Sequence, residues 1–338
     1  MKTDTISIVE AAYECESDTL TWLERLLEQA APRLDRGFGV GISMYGPGIA
    51  ADRMPVTSRY LDEKLRSAIV GMSVAYPGYF HRVNSAPLTV GTVTKALQMT
   101  AAEATSWPPF VEYLHPFGVR DITGIVARDP TGRAIVFNAP MPDFRRPARR
   151  DVAMWSRLTT HISAAARIRC ALEKLSSADL GMGADAVLSP SGSMVHGEKS
   201  AQSRDAKEAL RLAAKAIDRA RSKARGNEDE ALDLWKGLVA GRWSLVERFD
   251  SDGRRFMVAR RNDPQVTDPR ALDLRERQVL AYVAMGHPAK LIAYSLGVSP
   301  SSVSTTRRSA MRKLGLQTTA DVVRLFGGPP GPEPAQDR

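Results

Sequence analysis

The fold of the C-terminal part of the chain is decided by LDLRERQVLAYVAMGHPAKLIAYSLGVSPSSVSTTRRSAMRKLGL, residues 272–316. Asp273 and Glu276 have the spacing of a capping box, in which two side chains satisfy backbone N–H groups at a helix start. Gly297 is a natural helix stop, because glycine adopts a positive φ without strain. Ser299-Pro300 is a second start signal. The stretch therefore predicts short helices separated by tight turns.

The helix predicted for residues 300–314 combines two kinds of surface. Val303, Ala310 and Leu314 recur at helical spacing and can face a core. Hydroxyl side chains and arginines share another face, because residues three and four apart stack on one side of a helix. A polar first turn followed by arginines suits the major groove of DNA, where Arg can grip guanine with two hydrogen bonds. From the residues alone, a solvated basic face on a helical hairpin remains the alternative.

One more helix is predicted after this stretch. Thr318 and Asp321 have the spacing of another helix start, and Val322, Leu325 and Phe326 form the apolar side that follows. The C-terminal segment is thus expected to be a compact, all-α domain of four helices.

This segment resembles the DNA-binding domain of LuxR-type transcriptional regulators. The matching positions run through its whole length: Leu272, Arg275-Glu276, Val279-Leu280, Gly286, Lys290, Ile292-Ala293, Leu296, Ser299, Val303 and Lys313-Leu314-Gly315. The resemblance implies a helix-turn-helix fold, with residues 300–314 as the recognition helix and double-stranded DNA as the partner.

The resemblance also implies roles for individual residues. Base contacts are implied for Ser304, Thr305 and Arg308. Phosphate contacts are implied for Lys290, Ser302 and Arg312, and Ser299, Ser301 and Arg307 complete the predicted DNA-binding set. The last helix resembles the family's dimerisation helix, which implies a homodimer through Val322, Leu325 and Phe326. The chain departs from the family in having Ser304, Thr306, Leu291 and Thr319 where Lys, His, Glu and Arg are common.

The composition of the 338-residue chain is that of a globular protein, with 43% hydrophobic and 25% charged residues. About 265 residues precede the helical domain, enough for two further domains of ordinary size. The sequence contains no run of about 18 apolar residues, so no membrane span is predicted. The N-terminus lacks the apolar core of a signal peptide. The two cysteines indicate neither a disulfide framework nor a thiolate metal site. A cytoplasmic location is expected.

Positive charge is concentrated in the middle of the chain. The net charge is +9, and residues 145–225 hold 17 basic and 8 acidic residues, while the remainder holds 30 of each sign. This region could add phosphate contacts that are independent of sequence. The favoured interpretation is the ordinary one, in which long helices carry solvated Lys and Arg.

The element order upstream predicts an α+β architecture. In the first unit, helix and strand patterns end in a hairpin around Asp129-Pro130-Thr131-Gly132, which is followed by a long helix. The predicted segments are a helix over 18–34, a strand over 40–45, helices over 59–72 and 94–105, strands over 119–127 and 133–138, and a helix over 148–175.

A second upstream unit is predicted to have strands at both ends of a helical pair. Strands over 186–188 and 194–196, helices over 203–224 and 229–239, and strands over 243–249 and 255–260 would make one antiparallel sheet with helices on its face. By element order the two units resemble GAF-like and PAS-like sensory domains. The predicted organisation is a GAF-like domain (1–175), a PAS-like domain (180–262), a linker (263–270), a helix-turn-helix domain (271–327) and a disordered tail (328–338).

No motif indicates catalysis, a metal or a cofactor. The five histidines show no metal-ligand spacing, and Gly181-Met182-Gly183 is a lone G-x-G that precedes a strand instead of following one. Loop aromatics beside a sheet are the best candidates for a ligand pocket: Phe80, His81, Trp107, Phe110 and Phe117.

The sequence therefore predicts a non-enzymatic transcriptional regulator that binds DNA as a dimer. A small molecule or protein at the upstream domains would regulate it. The alternative is an interaction or dimerisation module whose helix-turn-helix no longer binds specific DNA.

Overall fold

The computed structural model describes residues 4–14, 17–46, 49, 54–76, 78–79, 82–83, 86, 89–130, 133–173, 185–235, 243–249, 255–261, 272–314 and 316–326. Its upstream part mixes helices with two antiparallel sheets, and its C-terminal part is helical, as predicted. The identification of the upstream units as GAF-like and PAS-like stays a prediction. Within the described residues, no helix has the length and apolar character needed to cross a bilayer.

The first unit is a five-stranded sheet with helices on both faces. Its elements are α1 (Thr5–Ala12), α2 (Thr19–Leu34), β1 (Val40–Tyr45), β2 (Val56–Arg59), α3 (Glu63–Ala75), β3 (Val90–Thr92), α4 (Val93–Ala96), α5 (Ala101–Ser106), α6 (Pro108–Tyr113), β4 (Asp121–Arg128), β5 (Ala134–Met141) and α7 (Arg149–Glu173). The strands pair in the order β2-β1-β5-β4-β3, each antiparallel to its neighbour.

Alternation along the strands gives this sheet two separate cores. Ile125 and Phe137 face α1, α2 and α7, and pack with Trp22 and Trp155. Ile122 lies on the opposite face, in a second cluster formed with α3 to α6. Since successive side chains of a strand point to opposite faces, both faces of β4 and β5 are apolar, and both must be covered by helices.

The second unit is a four-stranded sheet with two helices. Its elements are β6 (Ala186–Leu188), β7 (Met194–Gly197), α8 (Arg204–Arg221), α9 (Glu228–Trp235), β8 (Trp243–Phe249) and β9 (Arg255–Arg261). The strand order is β7-β6-β9-β8, and all three pairings are antiparallel. Its buried residues, such as Leu188, Leu210 and Trp235, belong to the same contiguous core as Trp22 and Trp155. The two sheets thus share one apolar interior.

Two predicted helices of the first unit are wrong in their limits. The pattern over residues 59–72 was expected to be helical from its start, but Arg59 ends strand β2, and Tyr60 has a φ of 60°. Helix α3 begins only at Glu63, because Asp62 caps it by accepting from two backbone N–H groups. Tertiary pairing of β2 with β1 overrides the local helical spacing here.

The helix predicted over residues 94–105 is two helices, α4 and α5. Gln98 has a φ of 59°, which interrupts the helix, and Thr100 starts a new one through a capping box with Glu103. Pro108 then begins α6, where its missing N–H costs little. Helix α1 and strand β3 were not predicted.

The C-terminal helices are α10 (Leu274–Ala284), α11 (Ala289–Leu296), α12 (Pro300–Lys313) and α13 (Thr319–Phe326). Asp273 and Glu276 form the predicted capping box. Gly297 ends α11 with a φ of 63°, as its position predicted. Pro288 is the N-cap of α11 and not part of its first turn. Val279, Ile292, Val303 and other apolar side chains of the four helices form one core of their own.

Candidate nucleic-acid interface

Helix α12 presents its apolar residues inward. Ser299 caps its start by accepting a hydrogen bond from the backbone N–H of Ser302 at 3.1 Å, and Pro300 follows in the first turn. Val303 and Ala310 are buried, as predicted, and Met311 is buried with them. This burial fixes which side of the helix remains available for a partner.

The outward side of α12 consists of the residues predicted to bind DNA. The side chains of Ser299, Ser301, Ser302, Ser304, Thr305, Arg307, Arg308 and Arg312 are all exposed, as is Lys290 in the first turn of α11. A single solvent-facing surface of hydroxyls and cations results. The geometry is that of a helix able to lie in the major groove, with its polar N-terminal turn leading.

The hydroxyls of the first turn bond to one another. The Ser299 Oγ lies 2.8 Å from the Oγ atoms of both Ser301 and Ser302. The Ser304 hydroxyl donates to the carbonyl oxygen of Pro300 at 3.1 Å. Arg307, Arg308 and Arg312 of α12, together with Lys290 of α11, therefore carry the formal charge of this surface, since the N-terminal turn of α12 is neutral.

A buried carboxylate fixes α12 against α10. Glu276 is 3% exposed, and its carboxylate accepts from the Ser309 hydroxyl at 2.9 Å and from the Lys313 ammonium at 2.7 Å. It also accepts from the backbone N–H of Asp273 at 3.1 Å. Burial opposes ionisation of this group, but the hydrogen bonds from Lys313, Asp273 and Ser309 outweigh it and lower the pKa of Glu276.

The sequence predicted only the capping role of Glu276. A usable signal was present, because Ser309 and Lys313 are four residues apart on α12 and so lie on one side of it. That side faces α10, and the same carboxylate both starts one helix and orients the next.

The three residues of α13 that are predicted to mediate dimerisation differ in their exposure to solvent. Val322 is fully buried in the core of the helical domain, and Phe326 packs against that core. Leu325 is 39% exposed, as is its neighbour Val323. The exposed apolar surface of α13 is therefore centred on Val323 and Leu325.

A chain of buried hydrogen bonds joins the helical domain to the upstream part. The hydroxyl of Tyr294, on α11, donates to the carbonyl oxygen of Leu232 in α9 at 2.8 Å. His161 Nε2, on α7, lies 2.8 Å from that same hydroxyl, and Tyr13 Oη lies 3.3 Å from His161 Nδ1. Tyr294 has one proton to donate, so it must accept from the histidine, and Nε2 carries the hydrogen.

The direction of the hydrogen bond between Tyr13 and His161 follows from the charge of the imidazole ring. His161 is completely buried, and burial lowers its pKa to about 3, so the imidazole is neutral near pH 7. Since Nε2 is protonated, Nδ1 is an acceptor, and the Tyr13 hydroxyl donates a hydrogen bond to it. We call this chain, Tyr13 to His161 to Tyr294 to Leu232, the Tyr294 relay.

A second contact, between Tyr282 of α10 and Arg167 of α7, also joins the helical domain to the upstream part. His287, in the turn between α10 and α11, stacks on Tyr282 with ring centroids 5.2 Å apart. Burial lowers the pKa of His287 to about 4. Burial also raises the pKa of Tyr282 to about 12, although the nearby Arg167 guanidinium lowers that pKa. Arg167, on α7, forms a buried ion pair with Asp129 at the end of β4. The helical domain thus rests on α7 and the β4–β5 turn.

The first sheet also borders an apolar cavity of about 300 Å³. On the sheet side it is lined by Ile122, Gly124, Val126, Val136 and Asn138, among others. Residues of α3, including Ile69, Val70 and Val74, line the other side. Pockets of this size, largely apolar with a few polar groups, are typical of small-molecule sites.

Three of the five aromatic residues predicted to line a pocket, Trp107, Phe110 and Phe117, belong to the cluster beside this cavity and are not part of its lining. Trp107 contacts both Tyr79, which lines the cavity, and Phe110, with ring centroids 5.4 Å and 5.0 Å apart. Phe110 is fully buried and Phe117 packs at the edge of the same cluster. Phe80 and His81 lie outside the described residues.

Comparison with known proteins agrees with the geometry of the helical domain. Residues 271–326 match the family described as bacterial regulatory proteins, luxR family. This segment is a LuxR-family helix-turn-helix domain, and its resemblance to that family, predicted from sequence, is confirmed.

Two individual proteins are similar to the chain. The transcriptional regulatory protein FixJ of Rhizobium meliloti (strain 1021) is 33% identical over 85 residues, which are 24% of this chain and 42% of FixJ. The chain thus matches less than half the length of that relative. The crystal structure of Escherichia coli SdiA aligns over 91% of this chain and 90% of its own with 12% identity, but at a TM-score of 0.28. That score is too low to indicate a shared fold.

Proposed function

We propose that the protein is a cytoplasmic DNA-binding transcriptional regulator that acts as a homodimer. The observation that carries this proposal is the exposed polar face of α12 within a LuxR-family domain. Double-stranded DNA is the partner that suits a helix with hydroxyls at its start and arginines further along. No enzymatic step is part of the proposal.

In the proposed complex, α12 enters the major groove. Ser304, Thr305 and Arg308 would contact base edges, and Lys290, Ser302 and Arg312 would contact phosphates. Ser299, Ser301 and Arg307 border this set. The positive charges of Lys290, Arg307, Arg308 and Arg312 provide the electrostatic attraction, because the N-terminal turn of α12 is uncharged.

The test is to identify bound genomic DNA by immunoprecipitation and to measure affinity for the best fragment. Arg308→Ala should weaken specific binding by about 1–3 kcal/mol, roughly 5- to 150-fold in Kd. Arg66→Ala, an exposed arginine on α3, is the matched control and should leave Kd unchanged. Equal Kd values for the Arg308 variant and the wild type would refute the assigned DNA face.

Dimerisation is proposed through α13, by Val322, Leu325 and Phe326. The exposed Leu325, together with Val323, would provide the contact, and Val322 and Phe326 would support it from within the domain. A palindromic operator with half-sites about one helical turn apart is expected. A binding site without internal symmetry, occupied by a single chain, would contradict this part of the proposal.

Regulation is proposed to arise from the upstream units, which would act as GAF-like and PAS-like sensors. The apolar cavity between the first sheet and α3 would take a small, mainly apolar molecule, with the Trp107 cluster as its backing. Phe80 and His81 are retained as candidate lining residues. A protein effector at the same units is the other form that this regulation can take.

The cavity can be tested by filling it. A Cβ added at Gly124 meets only a backbone oxygen at 3.9 Å, so Gly124→Leu would place its side chain in the cavity. The variant should lose binding of the neutral fluorescent probe N-phenyl-1-naphthylamine, while Gly226→Leu, at a position with open space, should retain it. Equal probe binding by both variants would exclude this cavity as the site.

A specific observation favours the alternative of an interaction module. The hydroxyls at the start of α12 are bonded within the helix, and Lys313 is paired with Glu276, so few cations remain for DNA. Titration with salt discriminates between the two functions, because a regulator requires a steep salt dependence together with preference for one sequence. Weak, salt-sensitive binding without sequence preference would favour the interaction module.

A further inference from the structure

The first sheet has a second cleft, on the face opposite the apolar cavity. Along β4, Ile122, Gly124 and Val126 face the cavity, whereas Thr123 and Ile125 face this cleft. The cleft has a volume of about 650 Å³ and lies where the end of α2, strands β3 and β4 and the start of α7 meet. Its volume lies within the range of small-molecule sites.

The cleft has an apolar floor. Val90, Ile125, Met154 and Trp155 line it, and each of these side chains is less than a tenth exposed. Trp155 is held by packing against Phe137, with ring centroids 5.9 Å apart. A rigid apolar floor of this kind favours a ligand with an aromatic or hydrocarbon body.

The rim of the cleft is positively charged. Arg33, Arg36, Arg145 and Arg146 line it together with the carboxylates of Asp143 and Asp151, so the lining has a net charge of +2. Arg33 is paired with Glu228, and Arg145 approaches Asp143 at 3.4 Å. Among the described residues, no side chain forms a hydrogen bond or ion pair with the exposed Arg36 or Arg146.

The surrounding backbone adds to this potential. Helix α7, which begins at Arg149, directs the positive end of its dipole toward the cleft. The carboxylate of Asp151, in the first turn of α7, also lines the cleft and offsets part of this potential. A concave site with low-dielectric walls concentrates such a field. An anion bound in the cleft would relieve the repulsion among the four arginines of the rim.

We infer that this cleft binds a small amphipathic anion, with its carboxylate or phosphate between Arg36 and Arg146 and its apolar body on the floor formed by Ile125 and Trp155. The two guanidinium groups supply charge-assisted hydrogen bonds, which carry orientation as well as affinity. The floor selects against small inorganic anions, which cannot cover it. This site is separate from the apolar cavity and from the DNA-binding face of α12.

The test is calorimetric titration of the full chain with 2-naphthoate, with its neutral analogue 2-naphthamide and with acetate. The wild type should bind 2-naphthoate at least about tenfold more tightly than either comparison compound. Arg36→Gln/Arg146→Gln should lose about tenfold in affinity for 2-naphthoate. 2-Naphthyl phosphate, titrated alongside, tells which anionic head group the site prefers.

A matched control distinguishes a local effect of Arg36 and Arg146 from a general effect of the net charge of the protein. Arg66→Gln/Arg82→Gln removes the same charge from two positions in a different part of the first unit, the half-exposed Arg66 and the exposed Arg82, and should leave 2-naphthoate affinity unchanged. Equal losses in both double variants would overturn the proposal, as would the absence of 2-naphthoate binding at millimolar concentration. Displacement of 2-naphthoate by an unrelated DNA duplex would assign the arginines to nucleic acid and overturn it too.

Discussion

The ammonium nitrogen of Lys313 lies 2.7 Å from Oε2 of Glu276, so the end of α12 is tied to the beginning of α10. The carboxylate is buried while the lysine is half exposed. The orientation of α12, and with it the proposed DNA face, therefore depends on an ion pair that is accessible to solvent from one side only.

Replacing this carboxylate should destabilise the domain. Glu276→Gln retains a residue compatible with the capping box but loses the charge-assisted bonds to Ser309 and Lys313, so a cost of about 1–3 kcal/mol in unfolding free energy is expected. Glu103→Gln is the matched control, because Glu103 forms the same box with Thr100 at an exposed position. Denaturant unfolding at pH 7 measures both, and equal effects of the two changes would show that the tie to α12 contributes nothing.

The effect of Glu276 should depend on pH. Its pKa is lowered from the ordinary value of 4.5, so the folded state stabilises the ionised form. This contribution is present above pH 4.5 and is lost as pH falls through the lower folded-state pKa. The stability difference between wild type and Glu276→Gln should therefore be constant near neutrality and shrink below pH 4.5. A constant difference down to acid denaturation would contradict the assigned ionisation.

Removing one hydroxyl should weaken the docking of the helical domain. Tyr294→Phe leaves the carbonyl oxygen of Leu232 and the Nε2–H of His161 without their partner in a buried site, at a cost of about 1–3 kcal/mol. Hydrogen exchange of α11 should accelerate in this variant. Tyr76→Phe, which removes only an exposed bond to Glu112, should do neither. Unchanged exchange in α11 would show that the Tyr294 relay does not hold the domains together.

Two histidines with lowered pKa values should make the chain sensitive to mild acid. Burial lowers the pKa of His161 to about 3 and of His287 to about 4, against an ordinary value of 6.5. The unfolded chain therefore binds more protons than the folded one below pH 6.5, and each histidine removes up to about 1.4 kcal/mol of stability per pH unit as pH falls.

Substitution can show how much of the pH dependence of the unfolding free energy is due to His287. His287→Gln should lower the dependence of unfolding free energy on pH between 6.5 and 4.5 relative to the wild type. Measurements of the denaturation midpoint at several pH values give both slopes. A slope that is identical in wild type and His287→Gln would mean that His287 titrates normally in the folded protein.

Local chemistry explains which features the sequence could predict. The capping box at Asp273, the left-handed stop at Gly297 and the cap at Ser299 depend on residues a few positions apart, and each occurs where it was predicted. Short strands such as Val90–Thr92 have no such signature, because three residues define no alternation and the partner strand supplies the structure.

Contacts between residues far apart in the sequence could not be predicted, because they too have no local signature. His161 lies within a long helix whose other residues explain its burial, and nothing nearby in sequence identifies Tyr294, 133 residues later, as its partner. The arginine-rimmed cleft has the same origin: Arg36 and Arg146 are brought together only by the packing of α2 on α7 and the first sheet.

The Tyr294 relay also limits how freely this domain can be exchanged during evolution or engineering. An isolated helical domain would leave Tyr294 and Ser295 without their upstream partners, although both are buried here. A fusion to another sensor would have to supply an acceptor for the Tyr294 hydroxyl and a histidine or equivalent donor facing it. The structural unit that satisfies Tyr294 therefore comprises the helical domain together with α7 and α9.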